Sequence, residues 1–241
     1  RILRAVRFET RFQFKMDEQT ENLALHSIEK MKEVSPKRIM DEIKRMFTEE
    51  DVVTSVRRLY ELNFWQQYTG EQTSRSASLR AVKKLKKLHT TYMENEEDYH
   101  WFSYFSLPFF VSENPQQLEG FMLTREERKY YEEVGQLLQL SLDNLDSVSD
   151  LHRPLKHISD LAILSFLALT SLRDEELVLQ YLQSRKNIES FISGRDLQAI
   201  GLQPGPIFKD ILFQLEIASL EGKIESKDSA IAWVKAYVNM E

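Results

Sequence analysis

Signals that start an α-helix recur about every 20 to 25 residues along this chain, a spacing typical of short helices joined by short loops. Two of these signals are Ser35 followed by Pro36, and Thr124 followed three residues later by Glu127. The 241 residues include only 7 Gly and 6 Pro, too few for the frequent turns of an all-β fold. The sequence therefore predicts an all-α fold made of several helical subdomains, with no sheet of its own.

Local composition divides this helical chain into three predicted parts. The stretch after Trp65 is polar, which predicts a break after an N-terminal part at residues 1–65. A second helical part covers residues 66–190. Segment 191–224 holds 4 of the 7 Gly and 2 of the 6 Pro, and it predicts two helices joined by a tight turn. These helices belong to a C-terminal part at residues 191–241.

Several kinds of site are excluded by what the sequence lacks. Without Cys, the chain has no disulfide, thiolate metal site or Cys nucleophile. The 5 His form no HExxH motif, so we assign no catalytic and no metal-binding residue. No apolar run approaches the roughly 20 residues of a membrane span, and we expect a cytoplasmic protein with no membrane partner. The first residue is not Met, and we expect the chain to be part of a longer protein.

Charge is distributed unevenly along the chain. Residues 1–91 carry 19 Lys and Arg against 13 Asp and Glu, whereas the remaining residues are strongly acidic and the net charge is −6. This asymmetry predicts an anionic partner for the N-terminal part of the chain. The alternative is that the charges lie on solvated helix faces.

The first helix carries four arginines at positions 1, 4, 7 and 11. This spacing places Arg1, Arg4, Arg7 and Arg11 in one stripe along a helix, while the apolar residues between them turn inward. Guanidinium groups without interleaved carboxylates repel one another, and planar Arg is well suited to bind phosphate or the edge of a base. The stripe predicts an anionic ligand. Its alternative is a surface face paired by salt bridges to another helix.

Three separated strings resemble class II tRNA nucleotidyltransferases, the family of CCA-adding and A-adding enzymes and bacterial poly(A) polymerases. The first is RILRAVRFETRFQF, which resembles the start of the family's neck. The second is VSPKRIMDEIKRM, in which Lys37 stands where the family usually has Glu before Arg38. The third is SGRDLQAIGLQPGPIFKDIL, which resembles the tail signature, with Lys209 where many members have Gly. The resemblance implies that residues 1–65, 66–190 and 191–241 are neck, body and tail.

The resemblance also implies nucleotide-binding residues in the first helix. In the family, a Glu-Asp-x-x-Arg motif reads the Watson–Crick edge of the incoming CTP or ATP, and Arg1 matches its last residue. Arg4 and Arg7 match two further arginines that contact the incoming nucleotide. By resemblance, these three side chains select ATP or CTP when a catalytic head domain is present.

The chemistry of the family takes place in that head domain. There, an Asp-x-Asp pair binds two Mg²⁺ ions that assist attack of the RNA 3′-hydroxyl on the α-phosphate. No Asp-x-Asp occurs in this sequence. We therefore expect the head and its Mg²⁺ to be absent from this chain, and we expect the chain alone to be inactive.

The remaining predicted role is RNA binding. Residues 79–93 predict an amphipathic basic helix whose lysines follow an RNA backbone, with simple solvation as the alternative. The loop at Arg195 predicts a phosphate site at a helix start, and by resemblance the tail contacts tRNA. The residues predicted to bind RNA are Arg11, Lys83, Lys84, Lys87, Ser193, Gly194, Arg195 and Lys209.

Three functional hypotheses follow from these features. The first is the tRNA-binding and nucleotide-selecting part of an enzyme that adds CCA or A to tRNA 3′ ends, with tRNA, ATP and CTP as partners. The alternative is a non-catalytic helical RNA-binding or scaffold protein that lacks a head. The third is a helical protein-interaction module unrelated to RNA. The sequence leaves the oligomeric state open, as well as the choice among CCA, A and poly(A) addition.

Overall fold

Side chains that cap helix starts determine much of this fold. In the computed structural model, the Asp17 side chain accepts a hydrogen bond from the Thr20 backbone N–H at 3.0 Å. Thr124 and Glu127 form the reciprocal capping box that the sequence predicts. Ser35 also precedes a helix that begins at Pro36, although its hydroxyl makes no capping hydrogen bond. The helix starts predicted at Ser35–Pro36 and at Thr124 are therefore confirmed.

The structure describes residues 1–70, 72–93, 100–112, 118, 121–140, 146–173, 175–186, 188 and 191–238. The α-helices are α1 Ile2–Phe12, α2 Glu18–Ser27, α3 Pro36–Phe47, α4 Val52–Glu61, α5 Arg75–Tyr92, α6 His100–Phe110, α7 Arg125–Gln139, α8 Val148–Leu155, α9 Asp160–Leu169, α10 Glu175–Arg185, α11 Gly194–Ala199, α12 Ile207–Leu220 and α13 Lys227–Val238. A short 3₁₀-helix covers Glu29–Glu33 and a π-helix covers Trp65–Thr69. No β-strand occurs in these described ranges, which confirms the all-α prediction.

The chain divides into two compact units. The first is Arg1–Leu140 with Ser159–Leu172, and the second is Ser141–Ile158 with Arg173–Glu241. The division into neck, body and tail at residues 65 and 190 stays a prediction. None of the helices described is long and apolar enough to cross a membrane.

Aromatic residues form the centre of the first unit. Phe105 of α6 is fully buried, and its ring centroid lies 5.3 to 5.6 Å from those of Phe47, Trp65, Phe109 and Phe121. The pairs with Phe47, Phe109 and Phe121 meet edge to face, a geometry that stabilises a core beyond simple burial of area. Helix α9 is apolar on every side and is buried against α5, α6 and α7. Residues 101–109 of α6 are all buried and belong to this core.

The second unit has its own core. It consists of apolar residues from α11, α12, α13 and the segments between them, namely Ile192, Leu197, Ile211, Leu215, Ala218, Ile224, Ala230 and Val234. Helix α8 packs against α10 and α12 in the same unit. Gly201 ends the turn after α11 with φ +99°, a conformation that glycine adopts without strain.

Candidate nucleic-acid interface

A buried ion pair orients the first helix. The Glu9 carboxylate lies on the inner face of α1 and accepts a hydrogen bond from Arg58 Nε of α4 at 2.9 Å. Arg58 also donates to Glu21 at 2.6 Å. Burial lowers the pKa of the Arg58 guanidinium, but these hydrogen bonds outweigh burial and raise the pKa above its usual value. With Glu9 held inward, Arg1, Arg4 and Arg11 are exposed, whereas the Arg7 side chain is only 13% exposed.

The arginine stripe separates into a paired half and an unpaired half. Arg7 lies 3.8 Å from Glu42 and 3.9 Å from Glu49, and Arg11 lies 3.8 Å from Glu49. Among the residues that the structure describes, Arg1 and Arg4 form no ion pair with a carboxylate. The salt-bridged alternative thus describes Arg7 and Arg11, whereas two adjacent cations at the start of the helix remain available to an anion.

The pairing of Arg7 is electrostatic rather than a hydrogen bond. Its Nε atom and the Glu42 Oε2 atom are both buried without a hydrogen-bond partner, and they lie 3.8 Å apart. A separation this long is outside hydrogen-bond range. The carboxylate therefore balances the charge of Arg7 and leaves its Nε–H group without an acceptor.

A cleft of about 1030 Å³ lies beside Arg1, between α1, α2 and α3. Apolar side chains form part of its wall, and one of them, Leu23, is 69% exposed. Arg38 also lines the cleft and forms no ion pair with any described carboxylate. Lys37 stands where the family usually has Glu. Arg38 therefore lacks a carboxylate on the residue before it. Asp41 and Glu42 also line the cleft, and its apolar wall with Arg1 and Arg38 nearby suits a ligand that combines a ring with phosphates.

The basic helix α5 contains both structural and free cations. Lys84 is half-buried and its Nζ donates to the Thr170 carbonyl at the end of α9, at 3.2 Å. Lys83 and Lys87 are exposed and form no ion pair within the described ranges. Arg80 is exposed in the same way, and positions 80, 83 and 87 share one helix face. Arg80 was not among the residues predicted to bind RNA, although the same helical spacing indicates it.

The predicted phosphate site of the tail is partly occupied by a side chain of the chain itself. Asp196 accepts hydrogen bonds from the Ser193 N–H at 2.8 Å and from its hydroxyl at 2.7 Å. The Lys227 ammonium also binds Asp196, and hydrogen bonds from Lys227 and Ser193 hold the pKa of the Asp196 carboxyl well below its usual range. The helix start at Gly194 therefore offers fewer free N–H groups than its sequence indicated.

Two of the tail cations predicted to bind RNA are exposed. Arg195 lines a shallow cavity of about 510 Å³ together with Gly194 and Phe208, and it has no ion-pair partner among the described residues. Lys209 of α12 is exposed and is likewise unpaired. Of the residues predicted to bind phosphate in the tail, these two side chains are the exposed and unpaired cations among the described residues.

The described residues include no group of three or more His, Asp or Glu side chains placed to hold a metal ion.

Comparisons with known proteins agree with the motifs. Residues 13–72 match the family model described as "Probable RNA and SrmB-binding site of polymerase A". An A-adding tRNA nucleotidyltransferase of Halalkalibacterium halodurans is 32% identical over 247 residues, which cover 99% of this chain and 56% of that protein. The A-adding tRNA nucleotidyltransferase of Geobacter sulfurreducens is 25% identical and is matched over 28% of its length. This chain therefore spans about half of the first relative and less of the second.

Solved structures show the same fold. The CCA-adding enzyme of Thermotoga maritima complexed with tRNA has a TM-score of 0.79 and 23% identity, over 98% of this chain and 60% of that one. A CCA-adding enzyme in complex with CTP has a TM-score of 0.78 and 24% identity, over 100% of this chain and 60% of that one. The predicted resemblance to a region of class II tRNA nucleotidyltransferases is confirmed.

Proposed function

We propose that this chain, which matches a region of class II tRNA nucleotidyltransferases in sequence and fold, is the tRNA-binding and nucleotide-selecting part of a cytoplasmic enzyme that adds CCA or A to tRNA 3′ ends. The observation that carries the proposal is the unpaired pair Arg1 and Arg4, both exposed on α1, with Arg1 at the edge of the cleft. The relatives named above are A-adding and CCA-adding enzymes, and one of them was solved with tRNA.

The nucleotide step uses the planar guanidinium groups of α1. Arg1 and Arg4 would meet the phosphates or base edge of ATP or CTP, because neither is neutralised by a described carboxylate. Arg7 is only 13% exposed and its Nε is buried, so it would add positive charge beside the nucleotide rather than a direct hydrogen bond from Nε, while Glu42 and Glu49 hold it in place. In this family, Mg²⁺ bound in a head domain supplies the activation of the phosphate, and the arginines here only bind and orient the nucleotide.

The RNA step uses exposed cations on both units. On α5, Lys83 and Lys87 would neutralise phosphates together with Arg80, while in the tail Arg195 and Lys209 would do the same. Such contacts read the shape and backbone of a duplex rather than its sequence, as expected for a protein that acts on many tRNAs. Lys84, which also belongs to the predicted RNA-binding set, already donates to the Thr170 carbonyl and would contribute less. Arg11 lies 3.8 Å from Glu49, beyond hydrogen-bond range, and its side chain stays 55% exposed, so it remains able to contact RNA.

The test is tRNA binding at several salt concentrations, measured by fluorescence anisotropy. We expect a steep loss of affinity with rising salt, and a weaker, less salt-dependent interaction for Arg195→Ala. The matched control is Arg128→Ala, which removes the same charge from an exposed position on α7. Equal binding by wild type and Arg195→Ala would remove the tail from the proposal. Binding that ignores salt altogether would instead favour a protein-interaction module.

A second measurement separates the proposal from its alternative. After fusion to a tRNA nucleotidyltransferase head domain, the chain should support addition of CMP or AMP to tRNA. A chain that binds tRNA but contributes nothing to nucleotide choice in such a fusion would be the non-catalytic RNA-binding protein.

A further inference from the structure

Two exposed aromatic rings lie at the end of α1. Phe12 is 61% exposed and Phe14 is 48% exposed. Their rings are within 9° of parallel, with centroids 6.4 Å apart. Gln13 between them has φ 55°, a left-handed conformation that ends the helix and brings Phe14 beside Phe12. Large exposed apolar side chains that lie together mark a surface for a partner.

Cations surround these rings. The Arg11 guanidinium carbon lies 5.6 Å from the centre of the Phe12 ring, and the Arg11 side chain is 55% exposed. One turn earlier, Arg4 and Arg7 lie 5.3 and 5.0 Å from the centre of Phe8. Phe8 in turn is 5.7 Å from Phe12. The outer side of α1 is thus a series of aromatic rings bordered by guanidinium groups.

We infer that Phe12 and Phe14 form a stacking platform for unpaired RNA bases, with Arg11 binding the adjacent backbone phosphate. Proteins that bind single strands combine aromatic rings, on which bases stack, with cations that follow the backbone. Charge complementarity favours RNA over an apolar protein segment, because a segment of that kind would have to cover the Arg11 charge next to Phe12. The inference rests on the proposed function and adds the unpaired part of the RNA to it.

The length of α1 fits this arrangement. Arg4 and Phe12 are eight residues apart, which corresponds to about 12 Å along a helix. Stacked bases rise by about 3.4 Å each, so the interval accommodates about three or four nucleotides. An unpaired strand stacked at Phe12 and Phe14 could therefore run along the arginine face and bring its end to Arg1 and Arg4.

The test is binding of a labelled single-stranded RNA octamer to the 241-residue chain, compared with binding of tRNA. We expect Phe12→Ala to weaken octamer binding about tenfold, with the salt dependence unchanged because no phosphate contact is lost. Arg11→Ala should instead reduce the slope of the logarithm of affinity against that of salt by about 0.7. Phe12→Trp should retain binding, whereas Phe12→Leu should lose it.

Met122→Ala is the matched control, because Met122 is an exposed apolar side chain distant in sequence from α1, and it should bind the octamer as wild type does. Circular dichroism of each variant verifies that the helices are intact. The inference is overturned if Phe12→Ala and Phe12→Leu bind the octamer as tightly as wild type while tRNA still binds, and the proposed function then stands. Self-association of the wild type that Phe12→Ala abolishes, with octamer binding unchanged, would assign the rings to a second copy of the chain. If the wild type binds neither RNA, the proposed function itself fails.

Discussion

Arg58 Nε of α4 donates to Glu9 Oε2 of α1 across 2.9 Å, and the Glu9 carboxylate is buried. Arg58 Nη1 donates to Glu21 of α2, so the Arg58 side chain connects α1, α2 and α4. The same contact determines which side of α1 is buried. The orientation of the arginine face therefore depends on a pair of residues that touches no ligand.

We predict that Glu9→Gln lowers the free energy of unfolding by about 2 to 3 kcal/mol, because it removes one charge of a buried pair while preserving side-chain volume. Urea denaturation followed by circular dichroism measures the change. The control is Glu132→Gln, an exposed position on α7 with no ion pair among the described residues, where we expect a change within about 0.5 kcal/mol. Similar stability for both variants would contradict the structural role given to Glu9.

Alkaline pH should weaken the fold through Tyr130. Its hydroxyl is buried and donates to Ser165 Oγ at 2.7 Å. Burial raises the pKa of Tyr130 to about 12, from the ordinary value of 10.0. The unfolded chain therefore releases the phenol proton first, so this contribution is fully present below pH 10 and is lost as the pH rises toward 12.

The expected loss over this interval is on the order of 3 kcal/mol. Tyr130→Phe has no proton to release, and its unfolding free energy should fall less between these pH values. At neutral pH, the same variant should lose about 1 kcal/mol, because Ser165 loses its hydrogen-bond partner. If the unfolding free energies of wild type and Tyr130→Phe fell equally between pH 10 and 12, Tyr130 would not titrate in this way.

Substitutions of the α5 lysines should affect either tRNA binding or stability, depending on the lysine. Lys83→Ala and Lys87→Ala should each reduce the salt slope of tRNA binding by up to about 0.9, with no effect on stability. Lys84→Ala should instead reduce stability by about 1 kcal/mol, because its ammonium group stabilises a carbonyl at the end of α9. Salt titrations and urea denaturation of the same three variants measure both effects. If Lys84→Ala alone changed the salt slope, the assignment of structural and free cations would be reversed.

Local chemistry explains which parts of the fold were predictable. The start at Ser35 and Pro36, the capping box at Thr124 and the turn at Gly201 each depend on residues close in sequence. Helix α8 was missed, although Ser147 and its partner three residues later form a capping box. The eight residues of α8 contain Pro154, and the helix is stabilised by packing against α10 and α12. The buried residues of α8, Leu151, His152 and Leu155, do follow a helical period, but eight residues are too few for that period to stand out from the surrounding sequence.

In the candidate site too, contacts between residues distant in sequence could not be predicted. Helical spacing predicted the arginine stripe, because positions three and four apart share a face. It could not predict that Glu42 and Glu49 approach Arg7, since these carboxylates belong to α3 and the loop that follows it. Nor could helical spacing distinguish Lys84 from Lys83. Only Lys84 donates to the Thr170 carbonyl, which lies 86 residues away in the sequence. Long-range pairing decides which cations remain free for a ligand.

The unequal pairing of Arg4 and Arg7 leads to different expected effects on nucleotide addition. In the fusion to a head domain, Arg4→Ala should raise KM for ATP and CTP about tenfold or more, because a charge-assisted contact is worth about 1.5 to 3 kcal/mol. Its stability and tRNA affinity should match those of wild type, since Arg4 pairs with no described carboxylate. Arg7→Ala should impair nucleotide use and also lower stability by about 1 kcal/mol, because Glu42 and Glu49 then repel each other without a cation between them.

Arg4→Lys provides the matched control for charge. Lysine keeps the positive charge but loses the planar pair of donors, so a nucleotide read through a bidentate contact should still bind more weakly than to wild type. Steady-state kinetics with each nucleotide, urea denaturation and tRNA binding together distinguish these outcomes. Unchanged kinetics for Arg4→Ala would contradict a nucleotide-binding role. The unpaired arginines would then be exposed cations that bind RNA, as proposed for Lys83 and Arg195.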